Sequence, residues 1–187
     1  IIDRTTNKVV GAIDSGSTDG TTECLDGRVD QVVSIDPATF DHGLTRNLGN
    51  ERSRGDYVVL MAQDAEPANE HWLAALVASL RSDPRLAGVF ARQVARPDAS
   101  PLTRHYLQRW TGASTERRTV SMTMNEFELL APALRVDRCT FDNVCSCIRR
   151  DIWRDHPFRA TPIGEDVEWA KAVLLAGFHI AFEPAAA

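Results

Sequence analysis

Cysteine is scarce. Cys24, Cys139, Cys145 and Cys147 are too few and too scattered for a disulfide framework, which points to a reducing, cytoplasmic compartment. Cys145-Ser146-Cys147 with Cys139 also lacks the second ligand pair of a structural zinc site, so small buried thiols are expected. No apolar run reaches spanning length and no secretory leader is visible. Any membrane association is then peripheral, at the inner face of the cytoplasmic membrane, through segments outside this chain. Positive charge is short as well: 21 Lys and Arg face 26 Asp and Glu, a net charge of −5. That excludes a broad basic surface and with it a nucleic-acid partner. Repeats, low-complexity tracts and linkers are absent, so residues 1–187 read as one domain.

What is present is an ordinary globular composition, 43% hydrophobic and 25% charged, enough for a sizeable core. Strand-like and helix-like runs alternate. Strands are expected at Val9–Ile13, Gln31–Ile35, Tyr57–Ala62, Leu86–Val94 and His179–Phe182. Helices are expected at Thr18–Leu25, capped by Thr18 or Asp19, and at His42–Arg54, Asn69–Arg81, Asn125–Leu134 and Glu165–Ala176. Thr103–Ser121 is polar and has no clear period, and Thr140–Ile148 mixes strand and turn signals. The alternation predicts an α/β fold with a mostly parallel sheet flanked by helices. The ends, Ile1-Ile2-Asp3 and Pro184-Ala185-Ala186-Ala187, carry neither terminal helix nor polar tail and read as part of a longer protein.

Three acidic sites fall at element junctions. Asp14 follows the first strand and opens the turn Ser15-Gly16-Ser17. Gln63-Asp64-Ala65-Glu66 follows the strand Tyr57–Ala62. Glu165-Asp166 opens the last helix, behind Gly164. In a doubly wound sheet the first two share one edge and face one cleft. Carboxylates there suit a hard divalent cation that bridges to phosphates, and one at a helix start suits a general base. Each also reads as plain structure: Asp14 as a turn residue, the others as acids at positive helix ends.

Taken together, Ile13-Asp14-Ser15-Gly16-Ser17-Thr18-Asp19-Gly20-Thr21, Phe40-Asp41-His42-Gly43-Leu44-Thr45-Arg46-Asn47, Gly55-Asp56-Tyr57-Val58-Val59-Leu60, Gln63-Asp64-Ala65-Glu66-Pro67 and Gly164-Glu165-Asp166 resemble the family 2 glycosyltransferases of GT-A fold. The likeness is greatest to their rhamnosyltransferase-like branch. It implies a Rossmann-like GT-A domain that lacks its first strand, which would precede Val9. It implies a nucleoside-diphosphate sugar donor, dTDP-rhamnose favoured, and a glycan or lipid-linked saccharide acceptor of the bacterial cell envelope. Asp14, Ser15 and Gly16 would contact the donor's base. Arg46, Asn47 and Gln63 would line the donor side, and Asp64 would hold Mg²⁺ or Mn²⁺ against the diphosphate. Asp166, with Glu165 beside it, would deprotonate the acceptor for an inverting displacement. Trp169, one turn after Asp166, reads either as a core residue or, from its place beside that base, as a platform that stacks on the acceptor sugar. The chain departs from the family's pattern at Ala62, where the first acid of the Asp-x-Asp motif would stand. The histidine that completes many such metal sites would fall beyond Pro184.

Two rival readings remain. A sugar-nucleotide-binding module without catalysis fits the incomplete metal motif. An α/β-hydrolase would use Gly16-Ser17-Thr18-Asp19-Gly20 as an elbow, with Thr18, Asp166 and His179.

Overall fold

Tyr57-Val58-Val59-Leu60-Met61 is apolar throughout, as a strand covered on both faces requires. In the computed structural model, which describes residues 2–3, 8–9, 11–112 and 114–187, it forms strand β5 (Tyr57–Met61), buried at its three central positions. Short strands β1 (Ile2–Asp3) and β2 (Lys8–Val9) pair antiparallel; Val10, inside the strand expected at Val9–Ile13, lies outside the described residues. Strand β3 (Ala12–Asp14) pairs in parallel with β4 (Val32–Ser34), Asp14 opposite Ser34.

The main sheet has five strands in the order β5, β8 (Cys145–Arg149), β6 (Leu86–Ala91), β9 (His179–Glu183), β7 (Arg118–Val120). Strands β5, β6 and β9 share one direction. Strand β8 runs against both of its neighbours, with Cys147 opposite Val59 on one side and Val89 on the other, and β7 runs against β9 at the edge. The expected α/β class is found, with the sheet mixed because β8 returns between two parallel strands.

The period of two sends alternate side chains to opposite layers. Val59, Val89 and Cys147 face helix α3 (Trp72–Arg81), whose Leu76, Val77 and Leu80 are buried against them. Val58, Leu60, Phe90 and Ile148 face the other way, onto helices α7 (Arg150–Asp155) and α8 (Glu165–Leu175) through Ile152, Trp153, Trp169 and Val173. Cys139 and Cys147 are buried thiols in these layers. No helix among the described residues is long and apolar enough to cross a membrane.

Several boundaries moved for local reasons. Helix α1 runs Thr21–Leu25 and is capped by neither Thr18 nor Asp19. The Asp19 carboxylate accepts from the Thr21 N–H and hydroxyl instead (3.1 and 2.6 Å), a local turn that holds off the helix, and Gly20 stands at the cap. Asn69 acts similarly ahead of α3, accepting from the His71 N–H (2.9 Å). The single helix expected over 125–134 is two, α5 (Met124–Leu129) and α6 (Pro132–Arg138), because Pro132 holds Ala131 extended. The unassigned stretch Thr103–Ser121 holds most of helix α4 (Pro101–Leu107), a π-helical turn (Gln108–Gly112) and β7. Helix α2 (His42–Arg52) starts where expected, its N-cap Asp41 accepting from the Leu44 N–H (2.9 Å).

Candidate active site

At the end of β3 the Asp14 carboxylate accepts from the backbone N–H of Gly16 (3.0 Å) and Ser17 (3.2 Å). The Ser17 hydroxyl, and then these two N–H groups, hold its carboxyl below the usual carboxylate range against the opposing effect of burial. Gly16 adopts φ 94°, and a Cβ there would stand 2.6 Å from the Pro37 ring in the loop after β4. Asp14 therefore shapes a turn packed against the neighbouring strand's exit, with Ser15 and Gly16 exposed at its tip.

At the end of β5, Gln63 and Asp64 are exposed, and the Asp64 carboxylate has no partner among the described residues. Its position is set through the backbone: Arg96 donates to the Asp64 carbonyl (2.9 Å) and pairs with Glu66 (3.5 Å). Asp64 borders a cavity of about 490 Å³, walled also by Met61, Trp72, Arg96, Leu107 and Val144. No cluster of three or more metal-ligating side chains exists among the described residues. A free hard carboxylate on a cavity still fits Mg²⁺ or Mn²⁺, which take one or two protein carboxylates and fill the remaining positions from phosphates and water.

The third site joins this cavity through the segment ahead of β8. Asp166, in the first turn of α8, accepts from its own neighbour Val167 N–H (2.8 Å) and from Asn143 N–H (3.4 Å), while Val144 lines the cavity. Desolvation, then the adjacent Glu165 charge, push the Asp166 carboxyl above its ordinary pKa; the Asp142 charge adds to this. Asp142 itself, 9% exposed, accepts from Gln93, from the Trp110 indole N–H (2.9 Å) and from Val144 N–H (2.9 Å). Asp142, Gln93, Trp110 and Arg96 were not singled out in sequence, because each is a lone polar or aromatic residue and only the fold makes them converge.

Three expected roles change. Trp169 is 2% exposed, stacked among Phe141 and Phe158, with its indole N–H on the His156 carbonyl (2.8 Å). Gly88 makes room for it, since a Cβ there would meet Phe141 at 2.8 Å and Trp169 at 3.0 Å. Trp169 is core and cannot stack on an acceptor. Asn47 does not line a donor site: its carbonyl accepts from Trp153 Nε1 (2.9 Å) and Phe158 N–H (3.0 Å) while its amide donates to Phe158 O (2.8 Å), clamping the loop before α8. Arg46 spends its charge on the buried Glu165, Nη1 to Oε1 at 2.7 Å, and so ties α2 to α8.

Nor do Asp14 and Asp64 share one sheet edge among the described residues. The β3–β4 pair is separate from the five-stranded sheet, and α2 contacts both β3 and α8. The hydrolase arrangement is not formed, because His179 Nδ1 lies 3.2 Å from Asp83 at the start of β9, whereas Asp166 opens α8 beside Asn143.

Residues 4–154 match the family model Glycosyl transferase family 2. The chain belongs to that family. The O-antigen chain rhamnosyltransferases WbaN of Salmonella anatum and RfbN of Salmonella typhimurium are 30% and 28% identical to it over 177 and 175 residues. Each alignment takes in 91% of this chain and 52% of the relative, so the chain spans about half the length of these curated relatives. Among solved structures, the mannosyltransferase PcManGT from Pyrobaculum calidifontis, in complex with GDP-Man and Mn²⁺, superposes with a TM-score of 0.62 at 18% identity. The match covers 95% of this chain and 46% of that one. The fold of this family 2 domain is GT-A.

Proposed function

We propose that this domain moves a sugar, with rhamnose favoured by its relatives, from a nucleoside-diphosphate donor to a hydroxyl of a glycan or lipid-linked saccharide of the bacterial cell envelope. Transfer proceeds with inversion, on the cytoplasmic side of the membrane. One observation carries the reading: a carboxylate of raised pKa, Asp166, accepts from the N–H of Asn143, whose chain neighbour Val144 lines the cavity bordered by Asp64, a carboxylate with no partner among the described residues. Asp166 accepts the acceptor's proton as its oxygen attacks the anomeric carbon and the bond to the diphosphate breaks. Glu165, neutralised by Arg46, holds the start of α8 so that Asp166 faces the 142–144 segment. Asp14, Ser15 and Gly16 present the turn that meets the base, and Gln63 and Asp64 the donor's phosphates. A divalent cation on Asp64, when bound, stabilises the negative charge of the leaving diphosphate. Mn²⁺ in the PcManGT complex supports that assignment.

Incubation of the protein with dTDP-rhamnose, Mn²⁺ and an envelope saccharide should release dTDP and yield a product whose anomeric configuration, read by NMR coupling constants, is opposite to the donor's. Retained configuration would overturn the role of Asp166 as base.

A further inference from the structure

Helix α4 and the π-helical turn after it form a twelve-residue arm, Pro101–Gly112, that barely packs on the body. Of residues 101–110, only Leu107 is half-buried and the rest are exposed. Leu102, Tyr106 and Trp110 recur every fourth residue and so form a stripe along one side of the helix. They are 78%, 62% and 42% exposed, an unusual outlay of apolar and aromatic surface to water. The arm carries Arg104, His105 and Arg109 and not one acidic residue, in a chain with 26 acids and a net charge of −5. The Arg104 guanidinium is tied back to the carbonyls of Ala99 and Pro97, while that of Arg109 has no partner among the described residues.

The adjoining side of the same helix faces the cleft. Thr103 and Leu107 line the cavity that Asp64 borders, and the Trp110 indole N–H is anchored on Asp142. The helix is thus a wall with catalytic space behind it and Leu102 and Tyr106 in front, while Trp110, 42% exposed, closes the stripe with its ring edge in water and its N–H turned to the cleft.

We propose that this stripe is a docking surface for a bilayer containing anionic phospholipid. Leu102 and Tyr106 enter the boundary between headgroups and acyl chains, Trp110 sits at headgroup level, and Arg109 pairs with lipid phosphate. Aromatic and leucine side chains on one face, flanked by arginine without opposing acid, are what an interfacial helix presents. An anionic surface follows from charge, since a basic arm on an acidic protein is drawn to such a surface while the body is held off it. A helix is about 10 Å across, so docking here puts the cavity within about that distance of the lipid surface. The surface goes beyond sugar transfer, and its test needs neither donor nor acceptor, so either can fail alone.

The test is co-sedimentation with vesicles of phosphatidylcholine alone or mixed with phosphatidylglycerol, together with tryptophan fluorescence. The protein should pellet with the mixed vesicles, and its emission should shift to the blue. The shift should vanish in Trp110→Phe, because Trp153 and Trp169 are already buried and Trp72 is half-buried in the cavity wall. Leu102→Gln/Tyr106→Gln, at exposed positions outside the cleft, should weaken binding about tenfold or more. Arg109→Gln should weaken it about fivefold on mixed vesicles and leave neutral ones unchanged. Failure to pellet with either vesicle, or equal binding by the Leu102→Gln/Tyr106→Gln variant, overturns the proposal. So does a dimer in sedimentation velocity that the same double variant dissolves, since the stripe would then be covered by a second copy.

Discussion

Asp166→Asn is expected to lose transfer by about a hundredfold to ten-thousandfold, the range a positioned general base contributes, while nucleotide-sugar affinity stays near wild type. The same substitution should raise thermal stability. Desolvation and the Glu165 charge lift the Asp166 carboxyl above its ordinary pKa, so the folded state favours the neutral acid. A group shifted that way supports the fold below its unfolded pKa, and that support is lost as pH rises through the folded one. At neutral pH the charge therefore weighs on stability, and an amide of the same shape removes it, keeping one oxygen for the Val167 N–H and giving up only the longer 3.4 Å bond from the Asn143 N–H. A Tm increase of about 2–4 °C corresponds to relief on the order of 1 kcal/mol in a domain of this size. The gain should shrink as pH is lowered, and the acid limb of the wild-type pH–rate profile should lie above the range of an exposed aspartate. Calorimetric scans beside a transfer assay check both halves. Unchanged transfer with Asn in place would remove Asp166 as the base, and a lower Tm at neutral pH would contradict the electrostatic account.

The second large effect lies one residue away. Glu165 is 6% exposed, and Arg46 meets it at 2.7 Å. Removing the cation leaves a desolvated carboxylate without its counter-charge, which is costlier than the pair's own net worth. Arg46→Met should destabilise the domain by roughly 2–4 kcal/mol, somewhat under the value for a fully buried pair because the arginine keeps some contact with water. Replacing Glu165 by Gln in that background should recover most of the loss, since an amide tolerates the site uncharged. Urea denaturation of the two single variants and the double one measures the coupling. If Arg46→Met costs under about 0.5 kcal/mol, the pair is a surface contact and Arg46 is free for the donor role its sequence motif implied.

Much of the fold is legible in the sequence. β-Branched runs such as Tyr57–Met61 and the apolar face of Trp72–Arg81 encode burial directly through their periods, so the central layers followed from local pattern. The acidic junctions were legible because strand ends are punctuated by Asp, Gly and Pro. Three kinds of fact were not. Strand β8 returns antiparallel between β5 and β6, a choice of pairing that no local period specifies. Trp169 follows Asp166 by one turn, and nearness in sequence made it look like part of the site. Its ring lies instead against Gly88, a packing partner that only the fold supplies. Asn47, in a stretch that resembles a donor motif, serves a loop more than a hundred residues away. The converse holds for Asp142, a single acid in a loop with no motif around it, which the fold places between Gln93, Trp110 and the segment that reaches Asp166. Side chains whose partners are distant in sequence carry no periodic signature, and these are the ones that shape the cleft.

Calorimetric titration of the protein with UDP, dTDP and GDP, each with and without Mn²⁺, tests most directly the claim that the Asp64 cleft binds an activated sugar donor through a cation. The expected result is that one nucleotide, with dTDP favoured, binds more tightly when Mn²⁺ is present, and that Asp64→Ala abolishes the metal's effect while weak metal-free binding persists. Equal binding with and without Mn²⁺, or a metal effect that survives Asp64→Ala, would contradict it.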